Sequence, residues 1–537
     1  MSLVKCRIKP YIQPFERQLA LAELQALARK LPQPADGPLE RATTFTVESA
    51  VSSRILAERL AYWEAVDTNR SELTRQVRLE ATVNVVRNGI PFEELERSVP
   101  FAGEVPLPNR RCLRYGTHGI HEYRGKFFPQ LAHALMNIAG ARQGMVVADP
   151  MCGSGTTLVE AVLGGYTALG LDLNPLSVLI SHAKCSLLSV EPKDLLRAYQ
   201  QTRDGLLHPR AAKSSNLQYF SSLPEADQEY LERWFSRQVL EDLDQVTQTI
   251  DALPVCSTKD LLRLSLSNIL RRVSWQKADD LRVRKKIRLD EEIDPIKEFL
   301  EELGRSVRLV LAFLRQNHAE GKTGIFHVQP GDARTSAKVW KKWVGQVDTV
   351  ITSPPYATAL PYLDTDRLSL IYLKLLTRRE HRGRDQEMIG NREITNGTKD
   401  VYWQMFQDKR QDMPQSVTIL IEEIARLNRT APVGFRRQNL PSLLAKYFTD
   451  MRAVFADMVQ LLRPGAPAYM VVGNNHTIAG GKHVTINTAD LLVELADSVG
   501  LKPERTIPME MLVSRDIFRK NAVASEYILC FRKLAQR

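Results

Sequence analysis

From Phe15 to Leu31 the chain reads FERQLALAELQALARKL, with apolar residues recurring every three or four positions. The stretch SSRILAERLAYWEAVDTNRSELTRQVRLEATVNVV repeats that spacing, so residues 1–110 are predicted to be a helical N-terminal region ending in a linker. The breaker LPQPADGP separates the two helical runs, and VPFAGEVPLPNRR supplies the linker. Across 111–185 the period changes. QLAHALMNIAG has the spacing of a helix, GMVVADP is a short uninterrupted apolar run, TTLVEAVLGG is again helical, and YTALGLDLN is a second apolar run. Strands alternating with helices predict a parallel sheet. Residues 186–322 return to helical spacing, and GIFHVQPGD, VDTVITSPP, APAYMVVGN and EYILCFRK resume the strands within 323–537. The simplest architecture is one α/β domain interrupted by a large helical insertion at 186–322. A second, polar, basic and turn-rich insertion is expected at about 377–445.

Composition narrows the class. The chain has 537 residues, 44% hydrophobic and 25% charged, a mixture typical of globular domains. No apolar run is long enough to cross a membrane, and MSLVKCRIKPYIQPFERQ lacks the apolar stretch of a signal peptide, so a cytoplasmic protein without membrane contact is expected. The six cysteines are scattered, without C-x-x-C or zinc-ligand spacing, and no metal is expected. His118 and His121, three apart with no third ligand, read as polar contacts.

The segment VVADPMCGSGTTLVEA runs from an apolar strand through Gly153 and Gly155 into a helix. Glycines there let a ligand approach the backbone closely. An acid, Asp149, ends the strand. Its carboxylate repels a pyrophosphate but attracts a ligand carrying an ammonium and a sulfonium, which favours S-adenosylmethionine over a dinucleotide. Asp172 ends the next strand, at the distance along the chain where such folds place an acid on ribose hydroxyls.

A second corner follows the strand VDTVI, which delivers Thr352, Ser353, Pro354, Pro355 and Tyr356 to the sheet edge where ligands bind. Two prolines fix the backbone there. The Ser353 hydroxyl and the Pro354 carbonyl suit the hydrogens of an exocyclic amine, and Tyr356 suits the face of a base. Accepting those hydrogens turns the amine lone pair out of conjugation and toward an electrophilic methyl.

ADPMCGSGTT, TSPPY and HEYRGKFFPQLAHALM, supported by GLDLNP, PGDAR and LRPGAPAYMVVGNN, resemble the motifs of the DNA amino-methyltransferases that act on cytosine N4 or adenine N6. The resemblance covers roughly 114–184, 324–376 and 445–535, and it implies a Rossmann-like class I methyltransferase sheet. It implies S-adenosylmethionine as cofactor, with Asp149, Pro150, Cys152, Gly153, Gly155 and Thr156 around its methionine end and Phe128 and Pro129 in the same pocket. Asp172 would hold the ribose and Asp332 the adenine amine. Ser353, Pro354, Pro355 and Tyr356 would hold the target base. Serine at the first catalytic position is the cytosine-N4 habit, with adenine N6 as the alternative. C5 methylation of cytosine needs a cysteine after proline, and no Pro-Cys dipeptide occurs.

Charge then points to the partner. Lys and Arg number 73 against 62 Asp and Glu, a formal charge of +11. The excess concentrates in Lys259–Arg288, where ten basic residues face three acids (Asp260, Asp279, Asp280), a local net of +7. Arg271, Arg272, Lys277, Arg282, Arg284, Lys285 and Lys286, with Arg378 and Arg379 further on, are candidates to bind duplex DNA. A basic helix is equally a solvated face. The common classes of the family place no recognition domain between the Asp172 and Asp332 strands, where the large insertion falls. A base inside a duplex hides its amine, so the target has to be flipped out, and Tyr356, Phe127, Tyr362 and Trp275 are candidates to stack on it. The resemblance allows a free-standing enzyme or one paired with a cognate restriction nuclease. An RNA base methyltransferase and a nucleic-acid-binding subunit without activity are the rival readings.

Overall fold

The computed structural model describes residues 2–67, 71–87, 91–97, 110–123, 125, 127–208, 217–254, 256–277, 284–287, 292–318, 323–357, 362–392, 394–430, 432–510 and 525–535. The N-terminal region differs from the helical expectation. It contains helices at Pro14–Ala28, Ser53–Arg59 and Arg75–Arg87, but also strands β1 (Ser2–Ile8), β2 (Gln33–Pro34), β3 (Thr44–Ser49), β4 (Trp63–Asp67) and β5 (Ser71–Leu73). These form an antiparallel sheet in the order β2-β3-β1-β4-β5. The cause is visible in alternation: Val4, Cys6 and Ile8 on β1, and Phe45 and Val47 on β3, point to one buried face. Such runs are short beside the helical periodicity around them. The region is welded to the rest: buried Glu23 accepts from the Tyr62 backbone at 2.9 Å and from Asn137 Nδ2 at 2.8 Å.

The central sheet is built from β6 (Val146–Asp149), β7 (Thr167–Asp172), β8 (Ile325–Pro330), β9 (Thr349–Thr352) and β10 (Pro467–Gly473). After a separate hairpin of β11 (Asn475–Ala479) and β12 (Lys482–Ile486), β13 (Leu501–Glu510) and β14 (Ser525–Lys533) complete it. The order is β13-β14-β10-β9-β6-β7-β8, parallel except for β14, which runs antiparallel to both its neighbours. Both faces are covered. Val147, Ile351 and Val471 join one core, while Val146, Ala148, Val350 and Val472 join the other. That is why these strands read as unbroken apolar runs. This is a doubly wound, Rossmann-like sheet, as the alternation of strands and helices predicted.

The insertion between β7 and β8 is helical, as its period predicted. Its long helix Pro295–His318 packs against Ser257–Val273 and against Arg75–Arg87 of the N-terminal region. The segment after β9 is also helical, with helices Arg378–Glu387, Asn396–Asp408 and Gln415–Arg429 leading into Phe435–Leu461. The turn-rich expectation for 377–445 is corrected here: Phe406, Val417 and Ile421 are spaced to bury on the second core. Among the described residues, no helix is long and apolar enough to cross a membrane.

Candidate active site

Strand order reverses between β6 and β9, so a crevice opens beyond their carboxyl ends. A cavity of about 970 Å³, counted to its open mouth, fills that crevice. β6 delivers Asp149 and Pro150 to it, followed by Cys152, Gly153 and Thr156 from the turn. β7 delivers Asp172, and β9 delivers Ser353, Pro354, Pro355 and Tyr356. Two motifs about 200 residues apart in sequence therefore line one space.

The turn Met151–Gly155 owes its shape to local chemistry. Gly153 (φ +48°) and Gly155 (φ +76°) occupy the left-handed region. A Cβ on Gly155 would lie 2.8 Å from Ser181 Oγ, and one on Gly153 would lie 3.1 Å from the Tyr123 ring. The helix Pro175–Ser186 holds the turn from behind. Ser181 Oγ donates to the Gly153 carbonyl at 2.9 Å, and fully buried Lys184 donates to the Ser154 carbonyl at 3.0 Å. Asn174 caps that helix, its side chain accepting from Leu176 N at 3.0 Å, with Pro175 in the first position.

Two carboxyls define the electrostatics. Asp149 is 1% exposed, and burial pushes its pKa up to about 7 against hydrogen bonds that pull it down, chiefly Thr352 Oγ1 at 2.7 Å. Asp172 is pushed up to about 6 by burial, although it accepts from Gly153 N and Asn174 N, each at 2.8 Å. Among the described residues no Lys, Arg or His forms an ion pair with either. Two desolvated carboxyls without a cation, beside a backbone turn kept open by glycine, suit a ligand that carries positive charge. The donor set fits S-adenosylmethionine on that ground.

At the far wall, the Tyr356 hydroxyl donates to Glu526 Oε1 on β14. Thr157 Oγ1 donates to the Ile351 carbonyl at 3.1 Å and ties the turn's helix to β9. Met388 and Ile389 close the cavity from the end of the Arg378–Glu387 helix. That helix is pinned in place by Arg384, which donates to the Leu173 carbonyl at 2.9 Å, and by Arg334, which donates to the Glu387 carbonyl at 3.0 Å.

Four expected cofactor residues do not line the cavity. The Phe128 ring lies under the Arg111 guanidinium, 4.6 Å from its centroid, and Pro129 starts the helix Pro129–Ile138. Gly155 caps the helix Thr156–Leu163 against Ser181, and Asp332 clamps Arg334 at 2.6 Å while its neighbours Gly331 and Ala333 reach the cavity. Of the stacking candidates, Phe127 and Tyr356 line the cavity, whereas Trp275 is covered by Lys285 Nζ at 4.6 Å. The Tyr362 side chain lies outside the described residues. Tyr123, Met388, Ile389 and Glu526 are lining residues that the sequence did not single out. Only Glu526 carried a signal, as the one acid in the strand motif EYILCFRK.

The basic candidates divide. Arg272 pairs with Glu298 and Glu302, each at 3.4 Å, and Arg271 donates to the Lys277 carbonyl at 2.9 Å, so both stabilise the insertion. Lys277, Arg284, Lys285 and Lys286 are exposed beside an isolated bridge between Gln276 and Lys285, and Arg282 lies outside the described residues. Arg378 and Arg379 are exposed at the start of the Arg378–Glu387 helix, where they share a polar depression with Arg367, Arg382 and His381. His118 and His121 are internal contacts. His118 meets buried Glu160 at 2.8 Å and His121 meets Ser267 Oγ at 3.0 Å.

A family model described as UPF0020, RMKL-like, methyltransferase domain matches residues 121–175, the segment that carries β6, the glycine turn and β7. The Type II methyltransferase M.BsoBI of Geobacillus stearothermophilus is 23% identical over 434 residues, covering 74% of this chain and 82% of that protein. The Type II methyltransferase M.MvaI of Kocuria varians is 27% identical over 272 residues, or 48% of this chain and 58% of that protein. A tRNA (guanine(10)-N2)-dimethyltransferase of Methanocaldococcus jannaschii is 42% identical over 103 residues, 18% of this chain and 29% of that protein. The matched domain is a methyltransferase domain, and S-adenosylmethionine is its cofactor.

Proposed function

We propose that this chain methylates the exocyclic amine of a DNA base, cytosine N4 in preference to adenine N6. The observation that carries the reading is the single cavity in which two cation-seeking carboxyls, Asp149 and Asp172, lie beside the Ser353–Tyr356 corner. When bound, S-adenosylmethionine supplies an electrophilic methyl on a sulfonium sulfur. Asp149 would hold its positive end, Asp172 would accept from its ribose hydroxyls, and Gly153 would leave room for it.

The corner acts on the other reactant. Ser353 Oγ and the Pro354 carbonyl accept the two amine hydrogens and so localise the nitrogen lone pair. Pro354 and Pro355 keep those acceptors from relaxing, so orientation and electrostatics supply the catalysis. No covalent intermediate is needed. Burial holds the Cys152 thiol well above its ordinary range and leaves it protonated. Flipping the base costs a few kcal/mol of stacking, and Tyr356 and Phe127 are placed to recover part of it. Serine at 353 supports cytosine over adenine, as the resemblance implies.

The exposed cations Arg378, Arg379, Lys277, Arg284, Lys285 and Lys286 would receive the phosphate backbone of duplex DNA. The Type II methyltransferase relatives support DNA as the substrate, and a nuclease acting at the same sequence is the partner this reading implies. The match to the tRNA enzyme favours RNA as the second reading. Transfer of a labelled methyl from S-adenosylmethionine to unmethylated duplex DNA and to folded RNA, with Ser353→Ala as the control, tests both. Label in DNA that Ser353→Ala abolishes is expected, whereas label confined to RNA overturns the DNA reading.

A further inference from the structure

The cavity holds one carboxyl that the chemistry above does not use. Glu526 stands at the start of β14, flanked in register by Gly473 on β10 and Met509 on β13. It lines the same cavity as Ser353 and Pro354. Its Oε1 accepts the Tyr356 hydroxyl, and its Oε2 has no hydrogen-bond partner among the described residues. None of those residues offers it a cation. Among the described residues, the titratable groups around it are Tyr356 from the corner and, elsewhere in the cavity, Tyr123, Cys152, Asp149 and Asp172, none of them positively charged. Burial accordingly raises its pKa.

In its protonated form, a carboxyl in this position has one hydrogen to give. The amine hydrogens of a bound base already have acceptors in Ser353 and Pro354. What distinguishes the bases is the ring nitrogen next to the amine. In cytosine (N3) and adenine (N1) it is a bare acceptor, whereas the guanine amine lies between N1, which carries a hydrogen and would meet the acid donor to donor, and N3, a bare acceptor set back on the sugar edge of the ring.

We propose that Glu526 identifies the base, donating from its carboxylic acid to the unprotonated ring nitrogen beside the target amine, so that cytosine and adenine are accepted and guanine is refused. This rests on the reading that the cavity takes a nucleobase. Tyr356 then has two tasks: its ring faces the base, and its hydroxyl fixes Oε1 so that Oε2 carries the hydrogen.

The test compares Glu526→Gln, Glu526→Ala and Tyr356→Phe for methyl transfer to unmethylated genomic DNA and total RNA, with cofactor affinity measured by calorimetry. Glutamine offers the same donor as the acid and is expected to stay within about threefold of wild type. Alanine leaves the ring nitrogen unpaired and is expected to lose about 10- to 100-fold in kcat/KM at unchanged cofactor affinity. Tyr356→Phe keeps the ring and loses only the hydroxyl, so a loss below about tenfold is expected. Alanine no worse than Tyr356→Phe would make Glu526 a support for the tyrosine and overturn the proposal. Glutamine as impaired as alanine, or methylguanine as the wild-type product, would overturn it too. Wild-type protein that binds cofactor and methylates neither nucleic acid overturns the nucleobase reading itself, and that outcome is read without any variant.

Discussion

Thr352 Oγ1 lies 2.7 Å from Asp149 Oδ1 and donates to it, joining residues 203 positions apart. The bond fastens the strand that ends in the Ser-Pro-Pro-Tyr corner to the strand that ends in the glycine turn. Any ligand held at Asp149 is thereby positioned relative to Ser353. Replacing the threonine by valine keeps the shape and deletes the donor. Thr352→Val is expected to destabilise the fold by about 1–2 kcal/mol and to weaken S-adenosylmethionine binding by about tenfold near neutral pH, because ionised Asp149 loses a hydrogen bond. Thermal unfolding and calorimetry read the two effects.

The same carboxyls predict how binding depends on pH. Burial raises Asp149 to about 7 and Asp172 to about 6, both from 3.8. In the empty protein the folded state holds these protons longer than the unfolded chain does, so they reduce stability as pH rises from about 4 toward 7. A cationic ligand has the opposite preference, since it needs both groups ionised. Its dissociation constant is expected to rise by about tenfold or more between roughly pH 7.5 and 5.5, and Asp149→Asn is expected to bind weakly with a flatter profile. Calorimetric titrations across that range check the sign. Binding that strengthens toward acid would contradict it.

Both carboxyls were legible in the sequence because each ends a short apolar run just before a helix start, a pattern tied to the carboxyl edge of a parallel sheet. The corner was legible for the same reason. Phe128, Pro129, Gly155 and Asp332, which the resemblance implied, stand off the cavity lining: motif position does not reveal which way a side chain turns, and Gly155 is packed against Ser181. Asp332 is turned away by Arg334, a partner two residues on. Glu526 and Met388 were missed because they reach the cavity only through sheet order and a helical insertion. The N-terminal sheet was missed because the alternation of Val4, Cys6 and Ile8 is short beside strong helical periodicity.

Ser353→Ala and Tyr356→Ala separate binding from transfer. Neither residue is needed to hold a cation at Asp149, so cofactor affinity is expected to stay within about twofold while transfer falls by about a hundredfold or more. Equal losses in both quantities would mean that the corner shapes the cofactor pocket instead.

Stability depends on a cluster remote from the chemistry. Fully buried Glu160 receives His118 at 2.8 Å and the Tyr115 hydroxyl at 2.5 Å, and its pKa is drawn down to about 2 by His118 and His133 in spite of burial. Glu160→Ala strands these partners and is expected to cost about 3–5 kcal/mol of unfolding free energy. In the wild type, the contribution of a lowered carboxyl is present above about 4.5 and is lost as pH falls toward about 2. Denaturant melts at several pH values measure both.

Cations that meet phosphate differ from cations that hold the fold. Changing Arg378 and Arg379 together to alanine is expected to weaken DNA binding and to lower the slope of log affinity against log salt by about two. Arg272→Ala, which breaks pairs with Glu298 and Glu302, is expected to lower stability and leave that slope unchanged. Fluorescence anisotropy over a salt series distinguishes them.

On the proposed function, a DNA base amine receives the methyl. Incubating the protein with S-adenosylmethionine and unmethylated genomic DNA, then digesting the DNA to nucleosides for mass spectrometry, tests it most directly. N4-methylcytosine is the expected product. N6-methyladenine would keep the chemistry and contradict the inference drawn from Ser353, while unmodified DNA beside methylated RNA treated in parallel would contradict the claim itself.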